Sequence, residues 1–395
     1  MIAPTKQMRV VIALGSEQTL AWGSTYYLPA ILAAPMANEL GVSTGTVFGA
    51  FSAALVVAAV LGPMAGRRID LCGGRDVLTV SSLVFAVGLA MLGVARGTGM
   101  LFAGWLIIGV GMAMGLYEAA FSTLAGIYGR KARSAITGIT LIAGLASTIC
   151  WPISAYLEAE IGWRMVCLFW AAAHLVIGLP LNRFFVPPGK QPIPSATNEA
   201  TRADISGPPG LQSHAMALLA LVFAVTWFTS TAMAAHLPRL LQEAGASAPA
   251  AVAAAALVGP AQVAGRLLEF VVLQRFNPLL SARLAAIAHP LGALAIMIFG
   301  APAALVFTVL HGAGNGILTI AKGTLPLAIF GSPGYGFRQG VLMVPARFGQ
   351  AGAPFLFALL MERYGASALL LSIALGLAGL AALLALTPSS TAERV

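Results

Sequence analysis

Apolar residues are grouped along this chain into long blocks, near residues 10–36, 45–66, 76–95, 99–127, 134–157, 163–184, 214–241, 249–274, 280–300, 302–330, 336–360 and 365–386. A helix needs ~20 such residues to cross the ~30 Å hydrocarbon core of a bilayer. The blocks are too long for the strands of a membrane barrel, which alternate apolar and polar positions over ~10 residues. The pattern therefore predicts an all-α polytopic membrane protein with about twelve transmembrane helices. The one long polar stretch, 187–213, is rich in Pro, Ser, Gly and Thr and has no apolar face. It reads as a flexible linker between two near-equal halves, 1–186 and 214–395, each expected to be a six-helix bundle.

Composition supports the same reading. Hydrophobic residues make up 59% of the chain and charged residues 9%, against about 25% charged in a soluble domain. The net charge of +9 would suit nucleic acid, but its distribution points elsewhere. With the N-terminus inside, the inner segments hold fifteen of the 22 Lys and Arg: Lys6, Arg9, Arg67, Arg68, Arg75, Arg130, Lys131, Arg133, Arg183, Lys190, Arg202, Arg275, Arg283, Arg338 and Arg394. The outer loops hold four (Arg96, Arg164, Arg239, Arg363), and three (Arg266, Lys322, Arg347) lie inside spans. Such an inward excess is the positive-inside pattern, and it places both termini in the cytoplasm. The basic start followed by an apolar run resembles a signal peptide, but the run continues past Tyr26 and carries Glu17 and Gln18, so it reads as an uncleaved first span. Cys72, Cys150 and Cys167 form no disulfide framework.

The halves repeat each other. Tyr27-Leu28-Pro29 and Gly41-Val42-Ser43 in span 1 correspond to His236-Leu237-Pro238 and Gly245-Ala246-Ser247 in span 7. Gly138, Pro152 and Gly162 in span 5 correspond to Gly340, Pro354 and Gly365 in span 11. A parallel repeat of two helical halves is the sequence form of a secondary transporter with its site at the repeat interface. Glycines inside the spans, such as Gly104, Gly109, Gly111 and Gly115 or Gly312, Gly314 and Gly316, read first as packing residues. Prolines inside spans mark kinks.

Between spans 2 and 3 runs Gly62 to Arg75, a short charged loop with Asp70 among Arg67, Arg68 and Arg75. Its bland reading is a positive cytoplasmic loop. Its sharper reading rests on Gly66, Asp70, Gly73 and Arg75, whose spacing resembles the loop signature between the second and third helices of the major facilitator superfamily. That resemblance, with the repeat, covers essentially the whole chain. It implies the major facilitator fold, alternating access, and a cavity lined by helices 1, 4, 7 and 10.

Ionisable groups inside the spans are expensive and mark function. The acids are Glu17, Glu118 and Glu269, and the bases are Arg266, Lys322 and Arg347. A guanidinium matches a carboxylate with two parallel donors, so Arg266 and Arg347 read as a cradle for an organic anion. The alternative for Arg266 is an i,i+3 pair with Glu269. Lys322 is a third anion ligand or snorkels to the inner face. Glu118, next to Tyr117, and Glu17 are the proton-coupling candidates, because a desolvated carboxyl titrates nearer neutrality. Salt bridges to Arg or Lys are their alternative. Of His174, His214, His236, His289 and His311, most read as hydrogen-bonded packing residues, with His236 the best functional case. No pair has metal-ligand spacing, so no metal is expected. Tyr26, Tyr27 and Trp227 could form an apolar wall for a substrate.

A narrower resemblance joins the Gly265-Arg266 pair, His236-Leu237-Pro238 and the basic Arg347. It is to the monocarboxylate transporter and oxalate–formate antiporter branch of the superfamily. It implies that Arg266 binds a substrate carboxylate, with Arg347 approximately matching the antiporter's basic residue. Two departures stand against carrying over the branch's proton mechanism whole: Ala30 where animal carriers have a lysine, and Gln262 where they have an aspartate. The expected function is secondary active transport of a small mono- or dicarboxylate, coupled to protons, in a bacterial-type inner membrane. The expected carrier is a monomer with no cofactor and no nucleic-acid partner. The alternative is a proton-driven efflux antiporter for drugs or metabolites. Glu17 in span 1 suits it, whereas Trp151-Pro152-Ile153-Ser154-Ala155 lacks the paired glycines of such antiporters. No phosphate loop, Cys/His cluster or Ser/His/acid constellation points to an enzyme.

Overall fold

A computed structural model describes residues 4–188 and 209–386, with side chains placed for 6–188 and 213–386. Among the described residues all regular structure is helical. The helices are α1 (Pro4–Ala21), α2 (Pro29–Leu40), α3 (Thr44–Cys72), α4 (Gly74–Gly93), α5 (Thr98–Gly115), α6 (Tyr117–Tyr128), α7 (Ala132–Ala143) and α8 (Ala146–Ala173). They continue with α9 (Pro209–Glu243), α10 (Ala248–Ala256), α11 (Val258–Val271), α12 (Pro278–Phe299), α13 (Ala304–Phe330), α14 (Tyr335–Tyr364) and α15 (Leu369–Ala385). The fold is an all-α membrane architecture, as the apolar blocks predict. Most of the expected linker lies outside the described residues.

Eight continuous stretches among the described residues are long and apolar enough to cross a membrane, against twelve apolar blocks. The difference lies in how the helices are joined. Thr98–Phe185 is one such stretch, yet it contains three blocks separated only by short breaks. One break is the turn Gly129–Lys131, where Gly129 stands at φ 57°; Leu116, with extended backbone (φ −84°, ψ −173°), interrupts the first block itself. Another is Gly162, at φ 78° and ψ 159°, a conformation that glycine adopts without a Cβ penalty. Tyr335–Ala385 is likewise one stretch holding two blocks around the turn Gly365–Ala368. The first block is instead divided, because α1 passes into a π-helical turn, Trp22–Tyr26, before Pro29 opens α2. Widening to a π-turn frees backbone carbonyls. The Ser24 hydroxyl donates to the Leu20 carbonyl at 2.7 Å and the Thr25 hydroxyl to the Ala21 carbonyl.

The repeated Gly-x-Ser motifs are helix punctuation. Gly41 ends α2 at φ 66°, and Ser43 then caps α3, accepting from the Thr46 amide at 3.1 Å. Gly245 (φ 99°) and Ser247 do the same before α10, with the Ala250 amide as donor. A left-handed glycine followed by a serine cap closes one helix and opens the next.

The described helices divide into two compact units. One is Met1–Asn198 with Ser332–Val341, and the other is Glu199–Gly331 with Leu342–Val395. In the first, Glu39 at the end of α2 accepts from Arg164 Nε at 2.8 Å and from the Trp163 indole. The Arg164 guanidinium holds the Glu39 carboxyl below the usual range. In the second, Leu240, Leu241, Ile296, Phe307 and Phe357 form a fully buried apolar core. Large side chains such as Val176, Phe184, Phe299 and Phe355 are exposed, which suits a surface solvated by lipid.

Candidate functional site

In the first unit the acid candidates surround the break at Leu116. Because α5 ends there, the Gly115 carbonyl loses its helical partner, and the Gln18 amide donates to it at 2.6 Å. The same amide donates to Glu17 Oε2 at 2.9 Å. Glu17 and Gln18 are fully buried. Glu118 is half-buried and falls in the first turn of α6, just past the break, where a helix N-terminus favours negative charge. Tyr117 beside it lies 5.0 Å, ring to ring, from Trp22, whose ring is in turn 5.0 Å from Tyr26 and 6.1 Å from Tyr27. Tyr27 also meets Trp151 edge-on at 5.8 Å. The structure thus joins Tyr26 and Tyr27 into one aromatic cluster with residues of α6 and α8.

In the second unit Arg266 is 4% exposed. Its Nη2 donates to Gln262 Oε1 at 3.3 Å, one turn earlier on α11. Its Nε and Nη1 are buried with no hydrogen-bond partner among the described residues. Gln262 is a neutral amide, so it orients the guanidinium and leaves the charge in place. Gly265 explains how Arg266 comes to be so deeply enclosed. A Cβ on Gly265 would collide with the Ala313 backbone on α13, and one on Gly316 would collide with the Gln262 backbone on α11. Two glycines therefore let α11 and α13 pack backbone to backbone, as expected of small residues in membrane helices.

Lys322 on α13 is 1% exposed, and its Nζ lies 4.5 Å from the centre of the Trp227 ring on α9. That is a cation–π distance. Arg347, also 4% exposed, donates to Gln350 Oε1 at 3.3 Å on α14. Trp227, expected as a substrate wall, is thus a partner of the lysine. His236 Nε2 donates to the Pro354 carbonyl at 2.8 Å, and its ring stacks on Phe357, so it ties α9 to α14.

The Gly62–Arg75 stretch differs from the loop expected. Through Cys72 it is the end of α3, and only Gly73 (φ 80°) leaves the helix before α4. Asp70, expected among Arg67, Arg68 and Arg75, makes its backbone hydrogen bonds at another helix. Its two oxygens accept from the Gly336 and Phe337 amides, each at 2.8 Å, capping the start of α14. Gly66 faces the Gly336 carbonyl so closely that a Cβ would collide with it. Arg75 turns instead to Asp76, which also receives Arg183 at 2.9 Å.

Sequence reasoning missed one constellation. His289 on α12 and His311 on α13 meet, Nδ1 to Nδ1, at 2.9 Å. Beside them is a cavity of about 40 Å³ lined also by Thr229 and Asn315, and Asn315 donates to Ser230 at 2.9 Å. The signal was present. Gly300 turns α12 back onto α13, and His289 and His311 stand eleven residues before and after it (300 − 289 and 311 − 300). Equal distance from a tight turn places two residues at one depth in an antiparallel pair.

Comparison with known proteins agrees with this architecture. The family model of the Major Facilitator Superfamily matches residues 18–341. Human monocarboxylate transporter 14 is 26% identical over 205 residues, half of this chain and 36% of that protein. The purine ribonucleoside efflux pump NepI of Shigella sonnei (strain Ss046) is 23% identical over 159 residues, 38% of this chain and 40% of the pump. The matched stretches thus span well under half of either relative. Among solved structures, the human organic anion transporter MFSD10 (TETRAN) superposes over 96% of this chain and 100% of its own, with a TM-score of 0.68 at 19% identity. The chain belongs to the Major Facilitator Superfamily and is an integral membrane transporter, not an enzyme.

Proposed function

We propose that this transporter carries a small organic anion, a mono- or dicarboxylate, by alternating access with proton coupling. The observation that carries the reading is Arg266: a guanidinium 4% exposed, with Nε and Nη1 lacking a hydrogen-bond partner among the described residues and a neutral glutamine beside it. At the centre of a membrane helix such a charge costs ~2.5–3.5 kcal/mol. A carboxylate answers it with the planar two-point contact that a guanidinium favours. Arg347 and Lys322, buried in the same unit, supply further positive charge. The partial similarity to a monocarboxylate transporter supports this substrate class. In this reading Glu118, with Glu17 second, carries the proton, and Asp70 with Gly66, Gly73 and Arg75 governs conformational cycling. The inward bias of Lys and Arg supports cytoplasmic termini in a bacterial-type inner membrane.

The second reading, proton-driven efflux, draws on Glu17 in the first span and on the similarity to a purine ribonucleoside efflux pump. A thermal-shift screen of the purified transporter separates the two. A ligand at 100 times its Kd stabilises the folded state by about 2.7 kcal/mol. Stabilisation by carboxylates and not by cationic drugs or purine nucleosides is the expected result. The reverse pattern favours efflux.

A further inference from the structure

The His289–His311 contact has a chemistry that the anion site does not use. Two bare imidazole lone pairs facing each other at 2.9 Å would repel, so one Nδ1 carries a hydrogen and the other accepts it. The tautomers of the two rings are therefore linked. One added proton is accommodated as an imidazolium donating to an imidazole across the same contact. Two added protons would set N–H against N–H at that distance. Such a contact has room for one added proton and resists a second, so its two rings are coupled in any titration.

Its surroundings point to a route for that proton. His289 Nε2 and Thr229 Oγ1 are buried without a hydrogen-bond partner among the described residues, and both residues line the same cavity of about 40 Å³. A water needs ~10–15 Å³ and two to four polar partners. His289, Thr229 and Asn315 supply them. Besides His289 on α12 and His311 on α13, the polar members of the lining are Thr226, Thr229 and Asn315, none of them charged, and Phe307 flanks both rings. No carboxylate stands in that lining to trap a proton.

We propose that His289 and His311 form a proton-binding site in the second unit, additional to Glu118 and Glu17 and loaded through water in this cavity. A hydronium in the cavity gives its proton to the open Nε2 of His289 and leaves as water. The Nδ1 hydrogen stays between the rings, and the positive charge is shared by the pair. That this proton is coupled to anion transport rests on the function proposed above. That the pair binds it does not.

The test is nitrogen-15 histidine spectroscopy of the full-length transporter in nanodiscs across the pH range in which it stays folded. His289→Asn and His311→Asn assign the signals against His174, His214 and His236. The expected result is one step in which both rings shift together with uptake of one proton, and loss of the joint step in either variant. Two rings that stay neutral throughout, or that titrate in two independent one-proton steps, overturn the proposal. The wild-type spectra decide this even if a variant fails to fold. A joint one-proton step in a protein that binds no carboxylate at any pH supports the proton site and overturns only the anion reading.

Discussion

At the scale of single residues, the buried charges were legible and their partners were not. Glu17 stands out in the sequence because a carboxyl in an apolar span is costly. Nothing local shows that its neighbour Gln18 reaches a carbonyl 97 positions away. Likewise Arg266 is visible as an arginine among apolar residues, while its enclosure depends on a backbone contact between α11 and α13. The contrast between the two sites is informative. Glu17 shares an amide with the broken end of α5, so part of its role is structural. Glu118 is half-buried in the first turn of α6, and in the proposed function it is the group that exchanges the proton. Glu118→Gln should therefore abolish pH-driven accumulation in proteoliposomes while leaving substrate exchange. Unchanged accumulation in that variant would move the coupling role to Glu17.

At the scale of elements, glycine decides what packs and what turns. The three atoms nearest to a Cβ at Gly265 all belong to the Ala313 backbone, which has no rotamer to change. Gly265→Ala should consequently force α11 and α13 apart and cost about 1–3 kcal/mol, as overpacking does. The thermal unfolding midpoint of the purified protein should fall, and an unchanged midpoint would show that the pair yields easily. Asp70 acts at an element's end in a different way. A carboxylate accepting two amides at a helix start combines hydrogen bonding with a favourable helix dipole. Asp70→Asn keeps the size but puts an N–H₂ group against one of those amides. Transport should drop while membrane expression holds. Normal transport by the Asn variant would remove Asp70 from the mechanism.

The same scale shows why the loop between α3 and α4 was misdrawn. Charge density in Gly62–Arg75 reads as loop, because arginines do not lie in hydrocarbon. A helix that simply projects beyond the membrane satisfies that constraint equally well, and α3 does so until Gly73. Composition tells where a chain leaves the bilayer and not where its helix stops. Conversely, the Gly-x-Ser repeat was legible as a repeat, and the backbone supplies its reason: left-handed glycine, then serine cap.

At the scale of the whole molecule, the all-α membrane fold followed from block length alone, since only helices satisfy every backbone group within one segment in lipid. The family followed from a short signature and a repeat. The count of continuous helices did not, because breaks such as Leu116 and Gly162 are one residue long and leave hydropathy untouched. Nor did the histidine pair, which depends on the depth at which two helices turn at Gly300. Substrate class is the least legible property, since it resides in a few donors whose meaning depends on what answers their charge.

The central claim is that Arg266 holds a carboxylate. A charge-assisted hydrogen bond to a guanidinium contributes roughly 1.5–3 kcal/mol, so losing the two-point contact should weaken binding about 10- to 100-fold. The direct measurement is calorimetric binding of the best carboxylate from the screen to wild type, Arg266→Lys and Arg266→Gln, with folding checked in each. The account predicts a 10- to 100-fold loss in Arg266→Gln and incomplete rescue by Arg266→Lys, because an ammonium lacks the planar fork. Carboxylate binding of wild-type strength in Arg266→Gln, or wild-type protein that binds cationic drugs and no carboxylate, would contradict it.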